Sequence, residues 1–102
     1  MKKNGNEFDN FWEFVKRTKK WEVSIPTQHS LRITYNPDIS KVEFVNEKIN
    51  QGGVLIYDDF KRLWGKQADI LLPYIRGEKI PSHPTNEFYI ACIIRDYNKW
   101  IA

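Results

Sequence analysis

The longest uninterrupted apolar run in the chain, FYIACII from Phe88 to Ile94, carries no charge and is flanked by Glu87 and Arg95. Such a run has to be buried, and whatever it forms becomes the element that others pack against. Phe, Tyr and Ile favour sheets, and periodicity alone does not separate a short buried strand from a buried helix. The flanks decide for helix. Thr85 can cap it, Glu87 falls in a first turn where a carboxylate suits the helix dipole, and Arg95 and Lys99 fall late, where cations do. The spacing therefore predicts a helix over Asn86 to Ile101. Its centre is apolar nearly all round, which requires partners on more than one side.

The remaining segments supply those partners. Glu7 to Lys20 carries Phe8, Phe11, Trp12 and Val15 at three- and four-residue spacing, with Phe14 beside that stripe, and reads as an amphipathic helix. Asn6 is its expected cap, and Met1 to Asn6 is expected to fray. The acidic residues Glu7, Asp9 and Glu13 come early and Lys16, Arg17, Lys19 and Lys20 come late, which complements the helix dipole. The period then changes to two. Trp21, Val23 and Ile25 alternate with Glu22 and Ser24, and Leu31, Ile33 and Tyr35 alternate with Arg32 and Thr34, so each stretch reads as a half-buried strand joined by the loop Pro26 to Ser30. Asn36 to Ser40 reads as a turn around Pro37. Lys41 to Asn46 is a third strand with Val42 and Phe44 on one face. A fourth is expected at Val54 to Tyr57 after a turn at Ile49 to Gly53.

Asp58 reads as the cap of a further helix in which Phe60, Leu63, Trp64 and Leu71 share a face and Lys61, Arg62 and Lys66 point away. Gly65 weakens it by up to about 1 kcal/mol relative to Ala, and Pro73 is expected to end or kink it. Tyr74 to Pro84 is a long irregular connection of the length at which loops often carry function. These elements predict an α+β fold: a three- or four-stranded antiparallel sheet, a meander, packed on one face by an N-terminal helix and C-terminal helices. One hundred and two residues are read as a single domain, 1–102.

Composition narrows the function class. Four Trp, five Tyr and six Phe are a heavy aromatic load, far from the composition of a disordered chain. Sixteen basic against thirteen acidic residues give a formal charge of +3, which permits an anionic partner without requiring one. Cys92 is the only cysteine, so an internal disulfide is excluded, and within an apolar helix it reads as a core residue. The start of the chain lacks the apolar stretch of a signal peptide, and no run reaches the roughly twenty residues that span a bilayer. A cytoplasmic protein without membrane association is expected.

Candidate chemistry is sparse. Pro37-Asp38 followed by Asp59-Phe60-Lys61 matches the letters of a restriction-type nuclease signature, in which two carboxylates hold Mg²⁺ and a lysine steadies charge near the attacking water. That chemistry needs the second triplet on a strand, whereas helical spacing puts Asp59 and Lys61 about 200° apart. The nuclease is therefore a remote alternative. His29, His83 and Cys92 lack metal-ligand spacing, and Gly52-Gly53 lacks the lysine and hydroxyl of a phosphate-binding loop, so neither metal nor cofactor is expected.

Two binding roles remain. Trp21, Tyr74, Tyr97 and Trp100 lie near element ends, where exposed aromatic side chains make interface anchors. A non-catalytic role in protein–protein interaction or self-association, regulatory or inhibitory in kind, is the first expectation. The alternative is nucleic-acid contact through Lys16, Arg17, Lys19, Lys20, Arg32, Lys61, Arg62 and Lys66, should these basic faces adjoin.

Overall fold

The computed structural model describes residues 7–25, 31–76, 78 and 84–101, without the side chains at 68, 70 and 101. The expected cap at Asn6, the frayed first residues, the loop from Pro26 to Ser30 and much of the connection before Pro84 lie outside the described residues, as do His29 and His83. The chain is α+β. Helix α1 (Glu7–Thr18) is followed by β1 (Lys20–Val23), β2 (Leu31–Asn36), β3 (Lys41–Asn46) and β4 (Gln51–Leu55), then by α2 (Tyr57–Trp64), a π-helical segment (Gln67–Leu71), α3 (Leu72–Ile75) and α4 (Asn86–Ile101). The strands form one antiparallel meander in the order β1-β2-β3-β4.

Alternation along the strands decides which face is covered. Val23, Leu31, Ile33, Val42, Phe44, Asn46 and Leu55 are buried, while Glu22, Arg32, Val45 and Val54 on the opposite face are exposed. The helices sit on the buried face, where α4 meets β1 and α1 meets β2, with Trp12 of α1 packing edge-on against Tyr35 at 6.0 Å. Every residue from Phe88 to Ile94 is at most 1% exposed. Tyr89 packs on Phe44 of β3 with ring centroids 4.6 Å apart, Phe88 meets Tyr74 of α3 at 5.6 Å, and Tyr97 meets Phe11 of α1 at 5.1 Å and Trp64 of α2 at 6.1 Å. One helix thus touches the sheet and three other helices, as its all-round apolar centre requires. Its start is capped as expected: the Thr85 hydroxyl accepts the Phe88 N–H at 3.3 Å.

Polar ties fix α4 over the sheet. The Asn46 side-chain amide donates to the Tyr89 hydroxyl at 3.1 Å, and that hydroxyl donates to the Gln51 side-chain carbonyl, so β3, β4 and α4 meet through one buried chain of hydrogen bonds. At the other end the Arg95 guanidinium donates to the Ser24 carbonyl and to Asp96 at 3.2 Å, and Asp96 accepts the Ser24 N–H at 3.4 Å. Arg95 therefore anchors the end of β1 to α4, a more specific task than complementing a dipole.

Several expected boundaries move, each for a local reason. Helix α1 ends at Thr18, because Lys19 takes a left-handed conformation with φ 66° while its N–H closes on Val15 O at 3.2 Å, and its carbonyl accepts the Tyr35 N–H at 2.7 Å. Lys19 and Lys20 accordingly leave the helix, and Lys20 opens β1. The turn before β4 lies at residues 47–50, with Asn50 at φ 53° and its N–H on Glu47 O, so Gly52 and Gly53 belong to the strand. Gly53 is needed there because a Cβ would lie 3.0 Å from the Phe44 ring. Helix α2 starts one residue before the expected cap: Ile56 is the N-cap, without a side-chain bond, and Asp58 and Asp59 lie in the first turn. The expected break comes at Gly65. Pro73 does not end the segment; it stands in the first turn of α3, where its missing N–H costs nothing.

Candidate binding groove

Three of the four aromatic interface residues come together. The end of α1, strand β1 and the last turns of α4 enclose a groove of about 380 Å³ lined by Phe14, Thr18, Trp21, Glu22, Asp96, Tyr97 and Trp100. Phe14 is its hub, with its ring centroid 5.6 Å from Trp21, 5.1 Å from Tyr97 and 5.2 Å from Trp100. Each position follows from the local fold. Phe14 lies off the buried stripe of α1, Trp21 is on a strand at the sheet edge, and Trp100 stands one turn beyond Tyr97 on the part of α4 that has left the core.

Exposure grades across the groove. Tyr97 is buried, Phe14 and Trp21 are half-buried, and Trp100 is 66% exposed, an unusual state for the largest apolar side chain. The aromatic floor is therefore held in place by the core while Trp100 in its outer wall stands largely in water. Burial pushes the Tyr97 hydroxyl above its ordinary pKa, with the Arg17 charge opposing, so it stays protonated at neutral pH and can donate. Glu22 and Asp96 put carboxylates at the rim. Tyr74 does not join this cluster, because it packs edge-on against Phe88 at the opposite end of α4. Phe14 was not among the residues expected at an interface. The signal for it in the sequence is its place beside the apolar stripe of α1.

The basic residues divide between two places. Lys20 and Arg32 lie together on the outer sheet face, lining a second groove with Trp21, Glu22 and Thr34. On the helices, Lys61 sits 5.9 Å from the centroid of the Tyr57 ring, and that ring packs edge-on against Trp12 of α1 at 5.0 Å. Carboxylates interrupt the positive charge. Lys16 pairs with Glu13 at 2.7 Å, Arg32 with Glu47, and Arg62 with Asp59 at 3.6 Å. The Glu13 hydrogen bond raises the Lys16 pKa.

Asp59 and Lys61 lie within α2, as their spacing required, and Asp38 is exposed in the β2–β3 turn. Among the described residues no three His, Cys, Asp or Glu side chains come together as a metal site, and no helix is long and apolar enough to cross a membrane. Cys92 is buried, and burial pushes its thiol up to about 11, the opposite of an activated nucleophile. Comparison with protein-family models, with curated proteins and with solved structures finds no match.

Proposed function

We propose that the protein is a non-catalytic binding domain whose aromatic groove takes a peptide segment from a protein partner. The observation that carries this reading is the Phe14–Trp21–Tyr97–Trp100 cluster, which leaves a tryptophan largely in water while its neighbours are fixed by the core. Burying such a ring removes on the order of 150 to 250 Å² from water, and Trp and Tyr dominate the energetics of interfaces for that reason. The Glu22 carboxylate that lines the groove favours a segment with a bulky apolar anchor beside a lysine or arginine, while Asp96 is already held by Arg95 at 3.2 Å. Panning a library of linear peptides tests this. Enriched sequences are expected to pair an aromatic or aliphatic anchor with a basic neighbour and to lose binding to Trp100→Ala and Trp21→Ala, both folded by circular dichroism. Selected peptides that bind Trp100→Ala as tightly as the wild type would contradict it.

Nucleic-acid contact is the second reading, supported by Lys61 over the Tyr57 ring, which packs in turn on Trp12 of the Lys16-bearing helix α1. It is weaker, since Lys16, Arg32 and Arg62 each have a carboxylate partner. Phosphate neutralisation makes affinity fall steeply with salt. A gel shift that weakens from low to moderate salt and is lost in Lys16→Ala/Lys61→Ala would favour this reading over the groove.

A further inference from the structure

Strand β1 is an edge of the sheet, and among the described residues no strand pairs with its outer side. The ladder to β2 decides which of its backbone groups are left over. The Lys19 carbonyl accepts the Tyr35 N–H, and bonded positions alternate along an antiparallel pair. Trp21 and Val23 therefore turn their N–H and C=O groups toward β2, while Lys20, Glu22 and Ser24 turn theirs outward. Ser24 shows what the edge calls for. Its N–H is accepted by Asp96 and its carbonyl accepts from Arg95, so two side chains of α4 stand where a further strand would pair. Among the described residues no partner takes the same groups of Lys20 and Glu22.

This open stretch of edge runs between two grooves. Trp21 and Glu22 line both the aromatic groove on the helix side of the sheet and the groove with Lys20, Arg32 and Thr34 on its outer face. An extended chain laid along β1 would send successive side chains alternately to the two faces, and so into the two grooves in turn.

We infer that the segment proposed for the aromatic groove adds to β1 as a further, antiparallel strand, which rests on that groove taking a peptide at all. Antiparallel is the direction of every pair in this sheet, and only that direction lets Lys20 and Glu22 each exchange both backbone bonds with a single residue. One residue of the segment pairs with Glu22, the next lies opposite Trp21, and the one after pairs with Lys20. The middle side chain points into the aromatic groove beside Phe14 and Trp100. Its neighbours point to the outer face, where the first meets the Glu22 carboxylate and the other the Lys20 ammonium. The segment recognised is therefore extended and reads basic, apolar, acidic in chain order. Main-chain bonds to an edge supply affinity in this mode, and the alternate side chains supply selectivity.

The probe is the blocked peptide acetyl-Thr-Val-Lys-Trp-Glu-Val-Thr-amide, titrated into the ¹⁵N-labelled full chain. The expected result is saturable shifts of the Trp21 and Trp100 indole signals together with slowed amide exchange at Lys20 and Glu22. Exchange at Trp21 and Val23, whose N–H groups already bond to β2, should change little. N-methylation of the peptide's Lys or Glu removes an N–H that faces β1 and should weaken binding by about tenfold or more, whereas N-methylation of its Trp, whose N–H faces away, should change it less than about twofold. Exchanging the peptide's Lys and Glu should also weaken binding. Indole shifts without slowed exchange at Lys20 and Glu22, or binding indifferent to every N-methyl group, would overturn strand addition and leave the groove as the peptide site. Panned peptides that shift the indoles where this probe does not would overturn it in the same way. A groove that takes neither this probe nor any panned peptide would remove strand addition and the proposed function together.

Discussion

Two residues show how closely side chains constrain one another here. The Phe44 ring lies over Gly53 and is held from behind by Tyr89, with ring centroids 4.6 Å apart, so it has nowhere to retreat. Gly53→Ala should therefore destabilise the fold by about 1–3 kcal/mol, as overpacking does, despite the entropy that alanine removes from the unfolded chain. Denaturant titration measures it. Cys92 makes the opposite point, that a potentially reactive group can be inert by placement. Its folded-state pKa of about 11 exceeds the ordinary 9.0, and burial raises Tyr89 and Tyr97 as well, so the folded state holds these protons more tightly than the unfolded state. The Cys92 contribution to stability is complete below about pH 9 and is lost as pH rises through about 11, and the raised tyrosines act in the same direction. Thermal unfolding should show a falling midpoint across that window, with a shallower fall in Cys92→Ala. A thiol reagent should leave the native protein unlabelled at pH 8 and label it once unfolded.

At the level of elements, the segment between β4 and α4 is where local preferences conflict. Gly65 takes an ordinary helical conformation, φ −72° and ψ −10°, and a Cβ there would meet nothing nearer than the Arg62 carbonyl at 3.8 Å. Gly65→Ala should therefore stabilise the protein by about 0.5–1 kcal/mol, read as a higher denaturation midpoint. Loss of stability would mean that the break after Trp64 is required by packing. The wide π-helical turn that follows is tied down by Gln67, which donates to the Trp64 carbonyl at 3.2 Å and accepts from Asn98 at 3.2 Å. Nothing in the sequence marks those bonds, because they join residues of different elements. The legible features were those with local causes. The α4 boundaries, the Thr85 cap, the alternation of β2 and β3 and the weak point at Gly65 all follow from residues within a few positions. Where tertiary packing chose, the sequence was ambiguous: Gly52-Gly53 reads as a turn until Phe44 is seen to need the space, and Pro73 reads as a terminator until a new helix starts on it. The groove was half legible. Trp21, Tyr97 and Trp100 stand out in the sequence by their places near element ends, but that they share Phe14, and that Tyr74 does not, depends on how α1 crosses α4.

For the whole molecule, one apolar helix organises the layers and its last turns define the surface. Helix α4 is buried from Phe88 to Ile94, anchors β1 through Arg95 and Asp96, and then emerges to present Trp100 beside Phe14. The groove lies at the β1 edge of the sheet, the opposite edge from β4. If the groove at the α1–β1–α4 junction takes the peptide as proposed, the four tryptophans report it. Trp12 and Trp64 belong to the interior cluster around Phe8 and Phe11, whereas Trp21 and Trp100 line the groove. Titrating a selected peptide into ¹⁵N-labelled protein and following the four indole N–H signals separates the two sets. Saturable shifts are expected at Trp21 and Trp100 with Trp12 and Trp64 nearly still; a bound peptide that leaves the Trp21 and Trp100 signals in place would place its binding elsewhere.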